Sequence, residues 1–358
     1  MMDIVITAPS LDPTQNVSGV SSVVNFIIDN NKSRNYIHFE LGKKDNERGG
    51  IFRISSIFRA YRQWKKTLAA HPEAVVHYSF PLSTLSILRD FRFMRYAYKT
   101  GRKMVVHIHG GNFMTAKKIP AVLKRMLKEV FSWDVPFIVL SEKERDTVKD
   151  RFGAKSVFVL PNTVDLKEAE VYQRTKKNED APLVLGYIGR IEPNKGMTEL
   201  LEACKRLHAN GIPFQLCIAG KEARQGEYLP LFESLPDGCF KYAGVVSGKS
   251  KTDFLKSLDV FMLPSYFEGL PISMLECMSF GAVPVVTPVG SIPEVVKDGE
   301  NGIFINVKDI GSIVDAVTRI HQNRDLLDSI GHKAKTTILE NFATEKYVDE
   351  LNRIYDSM

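Results

Sequence analysis

The sequence predicts an α/β protein made of two doubly wound parallel sheets. Short, mostly apolar runs alternate with segments of helical periodicity along nearly the whole chain, and such runs are typical of strands that helices cover on both faces. At 358 residues, the chain exceeds the size at which one hydrophobic core stops growing. We therefore expect two domains, each with its own sheet.

The first domain is predicted to span residues 1–165. Its expected strands are the runs at 3–7, 36–39, 74–78, 103–108, 137–140 and 156–160. The segment that follows, 166–181, is polar and aperiodic, and for this reason it is the predicted linker.

A second series of strands and helices is predicted at 182–343. Its expected strands lie at 183–188, 215–219, 240–242, 259–263, 283–287 and 302–305. In open α/β sheets, ligands bind outside the carboxyl ends of the strands. The functional site is therefore expected in a cleft between the two domains.

Charge is divided unevenly between the two halves of the chain. Residues 1–165 contain 26 Lys and Arg against 15 Asp and Glu, whereas the remainder contains 22 against 27. A basic half favours association with an anionic partner, such as a phosphorylated acceptor or an anionic membrane surface. The segment 54–68 is interpreted as a sheet-covering helix with a basic face, and contact with a membrane is the alternative. No nucleic-acid partner is expected, because the basic residues accompany no recognition module.

Cysteine usage and the N-terminus bear on the compartment. The four cysteines have no Cys-x2-Cys spacing, which argues against disulfides and structural zinc and favours a reducing cytoplasm. The N-terminus lacks a basic stretch followed by an apolar one, and no run of about 18 apolar residues occurs. We expect a cytoplasmic protein, with peripheral attachment to the inner face of the cell membrane as a hypothesis.

Two carboxylates eight positions apart flank a predicted junction between a strand and a helix. Glu268 lies at a turn that Gly269 permits, and Glu276 lies inside the helix that Pro271 opens. Eight helical steps rise about 12 Å, which exceeds the roughly 5 to 9.5 Å of a hydrolytic carboxylate pair. The spacing suits the two ends of an extended ligand such as a nucleotide sugar, and the amides of Gly269 and Leu270 would face its phosphates.

A second motif, Gly189 to Gly196, closes the first strand of the second domain and precedes a helix. Arg190 can fork onto phosphate oxygens, Lys195 adds a point charge, and the helix end supplies amides. This arrangement suits a departing diphosphate, and a solvated loop is the alternative. Because these cations can neutralise the leaving group and the chain contains no Asp-x-Asp motif, we expect neither a metal ion nor another cofactor.

Together these motifs resemble those of the GT-B retaining glycosyltransferases of family GT4. The similar features are Glu-x7-Glu after a Pro-Ser strand end, the sequence Gly-Ala-Val-Pro-Val-Val that begins at Gly281, and Gly-Arg-x4-Lys-Gly. The resemblance implies two Rossmann-like domains that face a central cleft. It also implies transfer of a sugar, with retention, from a UDP- or GDP-sugar to a hydroxyl of a glycan or lipid-linked acceptor. Bacterial surface polysaccharide or glycoconjugate synthesis is the implied setting.

The resemblance further implies roles for single residues. Arg190 and Lys195 stabilise the nucleoside diphosphate, Glu268 orients the donor sugar, and Glu276 holds the ribose. Other positions contact the donor mainly through the backbone: Gly189, Val245, Gly269, Leu270 and Pro271. The last helix, near 344–358, is expected to cross back toward the first domain.

In the first domain, His107 and His109 share one face of a strand, and His109 is nearer its end. The resemblance places His109 beside the transferred sugar, whereas a packed strand-end histidine is the alternative; His77 is interpreted as structural. Ser18 and Gly19 follow the first strand and could present amides to a phosphate or an acceptor. Here the chain departs from the family, which shows two adjacent glycines.

Two other functions stay open at this point. A nucleotide-sugar epimerase of the same architecture would use a similar donor site without an acceptor. A non-catalytic subunit that binds a sugar nucleotide would need neither acceptor nor turnover.

Overall fold

The structure, a computed structural model, describes residues 1–42, 51–116, 118–175 and 181–358. The chain divides into two compact units, Met1–Asn162 together with Glu345–Met358, and Thr163–Thr344. Each unit is built on one sheet of six strands, and all strand pairs are parallel.

The first unit has the strand order β2-β1-β3-β4-β5-β6. Its strands are β1 (Met2–Ala8), β2 (Arg34–Glu40), β3 (Val75–Phe80), β4 (Met104–Ile108), β5 (Phe137–Val139) and β6 (Val157–Val159). Its helices are α1 (Gly19–Asn30), α2 (Ile51–Ala70), α3 (Thr84–Lys99), α4 (Asn112–Thr115), α5 (Ala121–Phe131) and α6 (Glu142–Phe152).

A core of aromatic residues joins α2 to this sheet. Trp64 of α2 is fully buried, its ring meets Phe39 at a centroid distance of 4.8 Å, and its indole N–H donates to the carbonyl oxygen of Phe93 at 3.1 Å. Full burial of a large apolar side chain stabilises a fold by about 1.5–3 kcal/mol. The interpretation of 54–68 as a sheet-covering helix is therefore confirmed.

The second unit has the strand order β12-β11-β10-β7-β8-β9. Its strands are β7 (Leu183–Ile191), β8 (Phe214–Glu222), β9 (Phe240–Gly244), β10 (Val260–Leu263), β11 (Val283–Val286) and β12 (Ile303–Phe304). Its helices are α7 (Lys167–Val171), α8 (Met197–Ala209), α9 (Leu229–Glu233), α10 (Gly248–Ser257), α11 (Ile272–Ser279), α12 (Ile292–Val295), α13 (Ile310–Gln322) and α14 (Arg324–Asn341), with a 3₁₀ turn at Pro193–Lys195.

The last helix, α15 (Thr344–Asp356), is grouped almost entirely with the first unit. It buries Tyr347, Leu351, Ile354 and Tyr355. Near its end, Arg34 and Asp356 form an ion pair at 2.6 Å. These contacts attach the C-terminus to the first sheet.

Each of the twelve expected strands overlaps a strand of the structure, and the predicted α/β class is confirmed. The largest differences are at β7 and β8, which remain paired as far as Ile191 and Glu222. Their last residues include glycines and charged side chains, so the apolar pattern ends before the backbone pairing does.

The segment expected to be a linker, 166–181, contains the short helix α7, and residues 176–180 lie outside the described residues. Arg174 in this segment pairs with the buried Asp259 and donates to the carbonyl oxygen of Leu258 at 2.7 Å. Arg174 is therefore held on the second unit.

None of the helices in the described part of the chain is both long and apolar enough to cross a lipid bilayer.

Candidate functional site

The loop after β7 is held tightly at both ends. Gly196 has a φ of 72°, and a Cβ at this position would lie 2.2 Å from the carbonyl oxygen of Pro264, which follows β10. Only glycine combines this backbone conformation with so close a contact. At the start of the loop, the Tyr187 hydroxyl donates to the carbonyl oxygen of Arg190 at 2.6 Å.

The two predicted cations lie in this loop region. Gly189 and Arg190 are the residues of β7 that pair with Gly220 and Lys221 of β8, and Arg190 is half-buried. Lys195 ends the 3₁₀ turn that precedes α8. Arg190 is therefore among the last residues of a central strand and Lys195 lies just beyond its carboxyl end, where ligands of such sheets bind.

Lys195 and Glu268 form an ion pair. Since β7 and β10 are neighbouring parallel strands, the loops that follow them lie side by side. The Lys195 Nζ lies 2.6 Å from the Glu268 Oε1, and the two side chains are 21% and 10% exposed. At this burial, solvent screens the pair less than it screens a surface ion pair. The structure thus joins two motifs that the sequence analysis placed in one site.

The turn that carries Glu268 rests on a second turn after β11. A Cβ at Gly290 would lie 2.1 Å from the carbonyl oxygen of Glu268, and the backbone N–H of Ser291 donates to the carbonyl oxygen of Gly269 at 3.0 Å. The Leu270 side chain is buried, and Pro271 precedes α11 directly. This support fixes the backbone on which Glu268 stands.

Glu276 lies on α11 and has its own cationic partner. Lys251 of α10 donates to the Glu276 Oε1 at 2.5 Å, and the two side chains are 29% and 17% exposed. The two residues are 25 positions apart, so no spacing pattern in the sequence predicts this ion pair. Each glutamate of the motif is therefore held by one lysine from a different element.

Val245, the residue expected near the nucleotide base, follows β9 and is 40% exposed. Gly244 before it has a φ of 71°, which turns the chain away from the sheet. The backbone at this position lies beyond the carboxyl end of a strand of the same sheet as Lys195 and Glu268.

In the first unit, His109 follows β4 directly. Both of its ring nitrogens are buried and have no hydrogen-bond partner among the described residues. Burial lowers the pKa of His109 to about 3, so the ring is neutral at physiological pH. Its ring packs against that of His107 at a centroid distance of 4.1 Å. His77, interpreted as structural, is fully buried and hydrogen-bonded.

Ser18 and Gly19 begin α1. Ser18 has an extended backbone and its side chain makes no capping hydrogen bond, while its carbonyl oxygen accepts from the backbone N–H of Ser22 at 3.1 Å. A Cβ at Gly19 would have no atom within 4 Å. The space next to Gly19 is therefore open.

Among the residues that the structure describes, no group of three or more His, Cys, Asp or Glu side chains is placed as metal ligands would be.

Sequence reasoning missed Lys251 and Gly290. Lys251 lies in an ordinary amphipathic helix among several lysines, so nothing in its neighbourhood distinguishes it. Gly290 precedes Ser291 and Ile292 in a recognisable turn pattern, but the need for glycine there comes from the carbonyl oxygen of Glu268, 22 residues earlier in the chain.

Residues 167–337 match a family model described as glycosyl transferases group 1. The match includes both glutamates, both lysines and Arg190. Through this segment, the chain is similar to the glycosyl transferases of group 1. The resemblance predicted from the sequence is thereby confirmed.

Relatives of this glycosyltransferase include an Escherichia coli protein named UDP-Gal:alpha-D-GlcNAc-diphosphoundecaprenol alpha-1,3-galactosyltransferase. The two are 24% identical over 281 residues, which cover 72% of this chain and 70% of the relative. The putative colanic acid biosynthesis glycosyltransferase WcaL of Salmonella typhimurium is 28% identical over 178 residues, 47% of this chain and 44% of the relative. The chain thus matches less than half the length of the second relative.

Among solved structures, Anabaena HepE in complex with UDP-glucose is similar to this glycosyltransferase. The TM-score is 0.74 at 14% identity, and the likeness covers 100% of both chains. At this identity the likeness shows the fold, and it confirms the predicted GT-B class.

Proposed function

We propose that this protein is a retaining glycosyltransferase that moves a sugar from a UDP- or GDP-sugar to a hydroxyl of a glycan or lipid-linked acceptor. The observation that carries the proposal is the Lys195–Glu268 ion pair beyond the ends of two neighbouring strands. A carboxylate held in this way accepts hydrogen bonds from sugar hydroxyls. The adjacent ammonium group faces the negative charge that develops on a departing diphosphate.

The proposed chemistry is the displacement of a nucleoside diphosphate from the anomeric carbon of the sugar. Arg190 and Lys195 would neutralise the leaving group, and each such donor contributes about 3 kcal/mol to the stability of a transition state. Because these two cations supply the positive charge, the proposed reaction uses no metal ion. Retention follows from the family resemblance, and His109 is the proposed first-unit residue that positions the sugar.

The nucleoside end of the donor is assigned to the second lysine–glutamate pair. The ion pair with Lys251 holds the Glu276 carboxylate in place on α11, where it would accept hydrogen bonds from the ribose hydroxyls. The backbone at Val245 would contact the base. The two pairs together would bind the two ends of one nucleotide sugar.

The names of similar proteins support the proposed donor and acceptor classes. The E. coli relative is named for a UDP-linked donor and a diphosphoundecaprenol acceptor, and WcaL for colanic acid biosynthesis. HepE was solved with UDP-glucose. We therefore place the proposed reaction in bacterial polysaccharide or glycoconjugate synthesis.

We also propose that the first unit contacts an anionic membrane surface, where a lipid-linked acceptor would reside. On α2, Ile54 and Phe58 are 57% and 58% exposed, and on α3, which packs beside α2, Leu85 is 73% exposed. Basic residues accompany them on the same two helices: Arg59, Arg62, Lys65, Lys66, Arg92 and Arg95. Exposed apolar side chains among cations are typical of helices that lie on anionic lipid.

Flotation with vesicles tests the membrane proposal. Phe58→Glu should reduce binding to vesicles that contain phosphatidylglycerol, and salt should weaken the binding of the wild type. Leu231→Glu is the matched control, because Leu231 is 48% exposed on the second unit. Equal binding of the wild type to neutral and anionic vesicles, or equal loss in both variants, would contradict this proposal.

The experiment for the main proposal is a panel of UDP- and GDP-sugars assayed for nucleotide release with and without candidate acceptors. Transfer predicts release that rises with acceptor and falls in Lys195→Ala and Glu268→Gln. An epimerised sugar nucleotide formed without acceptor would instead identify an epimerase. Binding of a sugar nucleotide without any turnover would identify a non-catalytic subunit.

A further inference from the structure

Three histidines of the first unit lie on one face of its sheet, next to the C-terminal helix. His77 of β3 and His107 of β4 are fully buried on adjacent parallel strands, and His109 follows two residues after His107. The alternate residues of these strands, Val76 and Val106 among them, belong to the aromatic core on the opposite face. The histidines therefore form a polar row on the face of the sheet opposite the aromatic core.

A hydrogen-bonded chain connects this row to α15. The Tyr355 hydroxyl lies 2.6 Å from the His77 Nδ1, and the His77 Nε2 lies 3.2 Å from the His107 Nδ1. The rings of His107 and His109 then pack at a centroid distance of 4.1 Å with an interplanar angle of 30°. The contact between Tyr355 and His77, 278 positions apart in the chain, is thus connected through His107 to His109, the histidine proposed to position the sugar.

Polar side chains next to the start of β2 also bind α15. The Asn31 Nδ2 donates to the Tyr36 hydroxyl at 2.9 Å and to the Asn352 Oδ1 of α15 at 2.9 Å. The Asn31 Oδ1 accepts from the Ser33 hydroxyl at 2.7 Å. These contacts hold α15 beside the start of β2.

The protonation of the histidines follows from their burial. Burial lowers the pKa of His77 to about 3 and that of His107 well below its ordinary value, so both rings are neutral at pH 7. A neutral imidazole carries one N–H, and it donates through one nitrogen and accepts through the other. Because the His77 Nε2 faces the His107 Nδ1, the two rings must have the same tautomer.

Two arrangements satisfy this condition. Either both histidines carry the proton on Nε2 and the Tyr355 hydroxyl donates to the His77 Nδ1, or both carry it on Nδ1 and the hydroxyl accepts from His77. In each arrangement, the hydrogen bond to Tyr355 couples the tautomer of His77 to that of His107. The His107 Nε2 has no partner among the described residues, and it lies next to the His109 ring.

We propose that Tyr355 and His77 are positioning residues for His109. Through their hydrogen bonds, they set the tautomer and the ring orientation of His107, and the His109 ring packs against that fixed ring. This inference rests on the proposed role of His109 in sugar transfer. It gives α15 a part in the reaction, in addition to its part in the packing of the first unit.

Nitrogen NMR of the histidine rings tests the chain directly in the intact protein. In the wild type at pH 7, His77 and His107 should both be neutral and should carry the proton on the same ring nitrogen, Nε2 in both or Nδ1 in both. Tyr355→Phe keeps the ring but removes the hydroxyl that is hydrogen-bonded to the His77 Nδ1, so the ring-nitrogen resonances of His77 and His107 should move. Tyr347→Phe is the matched control on the same helix, because the buried Tyr347 hydroxyl has no partner among the described residues. Different tautomers in the wild type, or unchanged resonances in Tyr355→Phe, would overturn the inference.

Kinetics test whether the chain matters for the reaction. We expect Tyr355→Phe to lower kcat about tenfold, the lower end of what lost support for a functional side chain costs. The Kd for the nucleoside diphosphate should not change, since that ligand is assigned to the second unit. Tyr347→Phe should retain both values. Wild-type kcat in Tyr355→Phe would overturn the inference and leave the proposed function standing, whereas absence of transfer by the wild type would overturn both.

Discussion

Replacing Glu268 with glutamine separates the two functions assigned to its ion pair with Lys195. Glutamine has the same shape and keeps an acceptor oxygen at the 2.6 Å position, but it removes the negative charge. A hydrogen bond to a charged group contributes about 1.5–3 kcal/mol. If the sugar hydroxyl loses that interaction in the transition state, kcat should fall about 10- to 150-fold.

The affinity for the nucleotide should not fall together with kcat. Lys195 is partly neutralised by Glu268 in the wild type, and the substitution leaves its charge available to a diphosphate. We therefore expect the Kd for UDP or GDP, measured by calorimetry, to stay the same or to decrease. Since the two side chains are 10% and 21% exposed, the free energy of unfolding should fall by only about 1 kcal/mol.

A control distinguishes this loss from a general effect of charge removal. Glu202→Gln breaks the ion pair between Glu202 and Lys205 on α8, whose side chains are 42% and 50% exposed. Its turnover should match the wild type, and its stability should change by less than about 0.5 kcal/mol. Wild-type kcat in Glu268→Gln, or an equal loss in Glu202→Gln, would refute the reasoning.

Three further outcomes are expected. Gly196→Ala should lower the free energy of unfolding, measured by urea titration, by at least about 2 kcal/mol. Gly211→Ala is the control and should lower it by about 1 kcal/mol, because Gly211 has the same φ of 72° but nothing lies within 4 Å of the new Cβ. Equal losses would contradict the contact between position 196 and Pro264. Glu276→Gln should raise the Kd for UDP or GDP about tenfold, more than the Kd for the same 2′,3′-dideoxynucleotide, and an equal rise for both would argue against the ribose contact. Burial lowers the pKa of His77 and His109 to about 3, so the unfolded state binds more protons than the folded state between pH 6.5 and pH 3. The free energy of unfolding should therefore fall as pH falls below 6.5, by about 1.4 kcal/mol per pH unit for each ring. His77→Gln should reduce this slope in unfolding measured from pH 7 to pH 5, and an unchanged slope would contradict the buried neutral ring.

The strands of this protein could be predicted because their signal is local. Runs such as the one at 137–140 are continuously apolar, and a parallel sheet covered on both faces requires that pattern. The two motifs of the donor site were also local, since Gly-Arg-x4-Lys-Gly spans a strand end and the turn after it, and Glu-x7-Glu spans one loop and its helix. The adjacency of Lys195 and Glu268 follows once β7 and β10 are known to be neighbours.

The contacts that support these motifs could not be read from the sequence. Lys251 meets Glu276 only because α10 packs beside α11, and the Tyr355–His77 contact depends on the return of the last helix to the first unit. Such pairs arise from topology and packing, which leave no spacing pattern in the chain. A polar residue on a buried strand, such as His77, signals that a partner exists without saying where it is.

The most direct test of the account is acceptor-dependent nucleotide release, measured side by side for the wild type, Lys195→Ala, Glu268→Gln and Glu202→Gln. The account predicts that the wild type and Glu202→Gln release UDP or GDP faster when an acceptor is present and form the same glycoside. Lys195→Ala should lose both turnover and nucleotide affinity, and Glu268→Gln turnover alone. Equal, acceptor-independent release by all four proteins would contradict the assignment of the site.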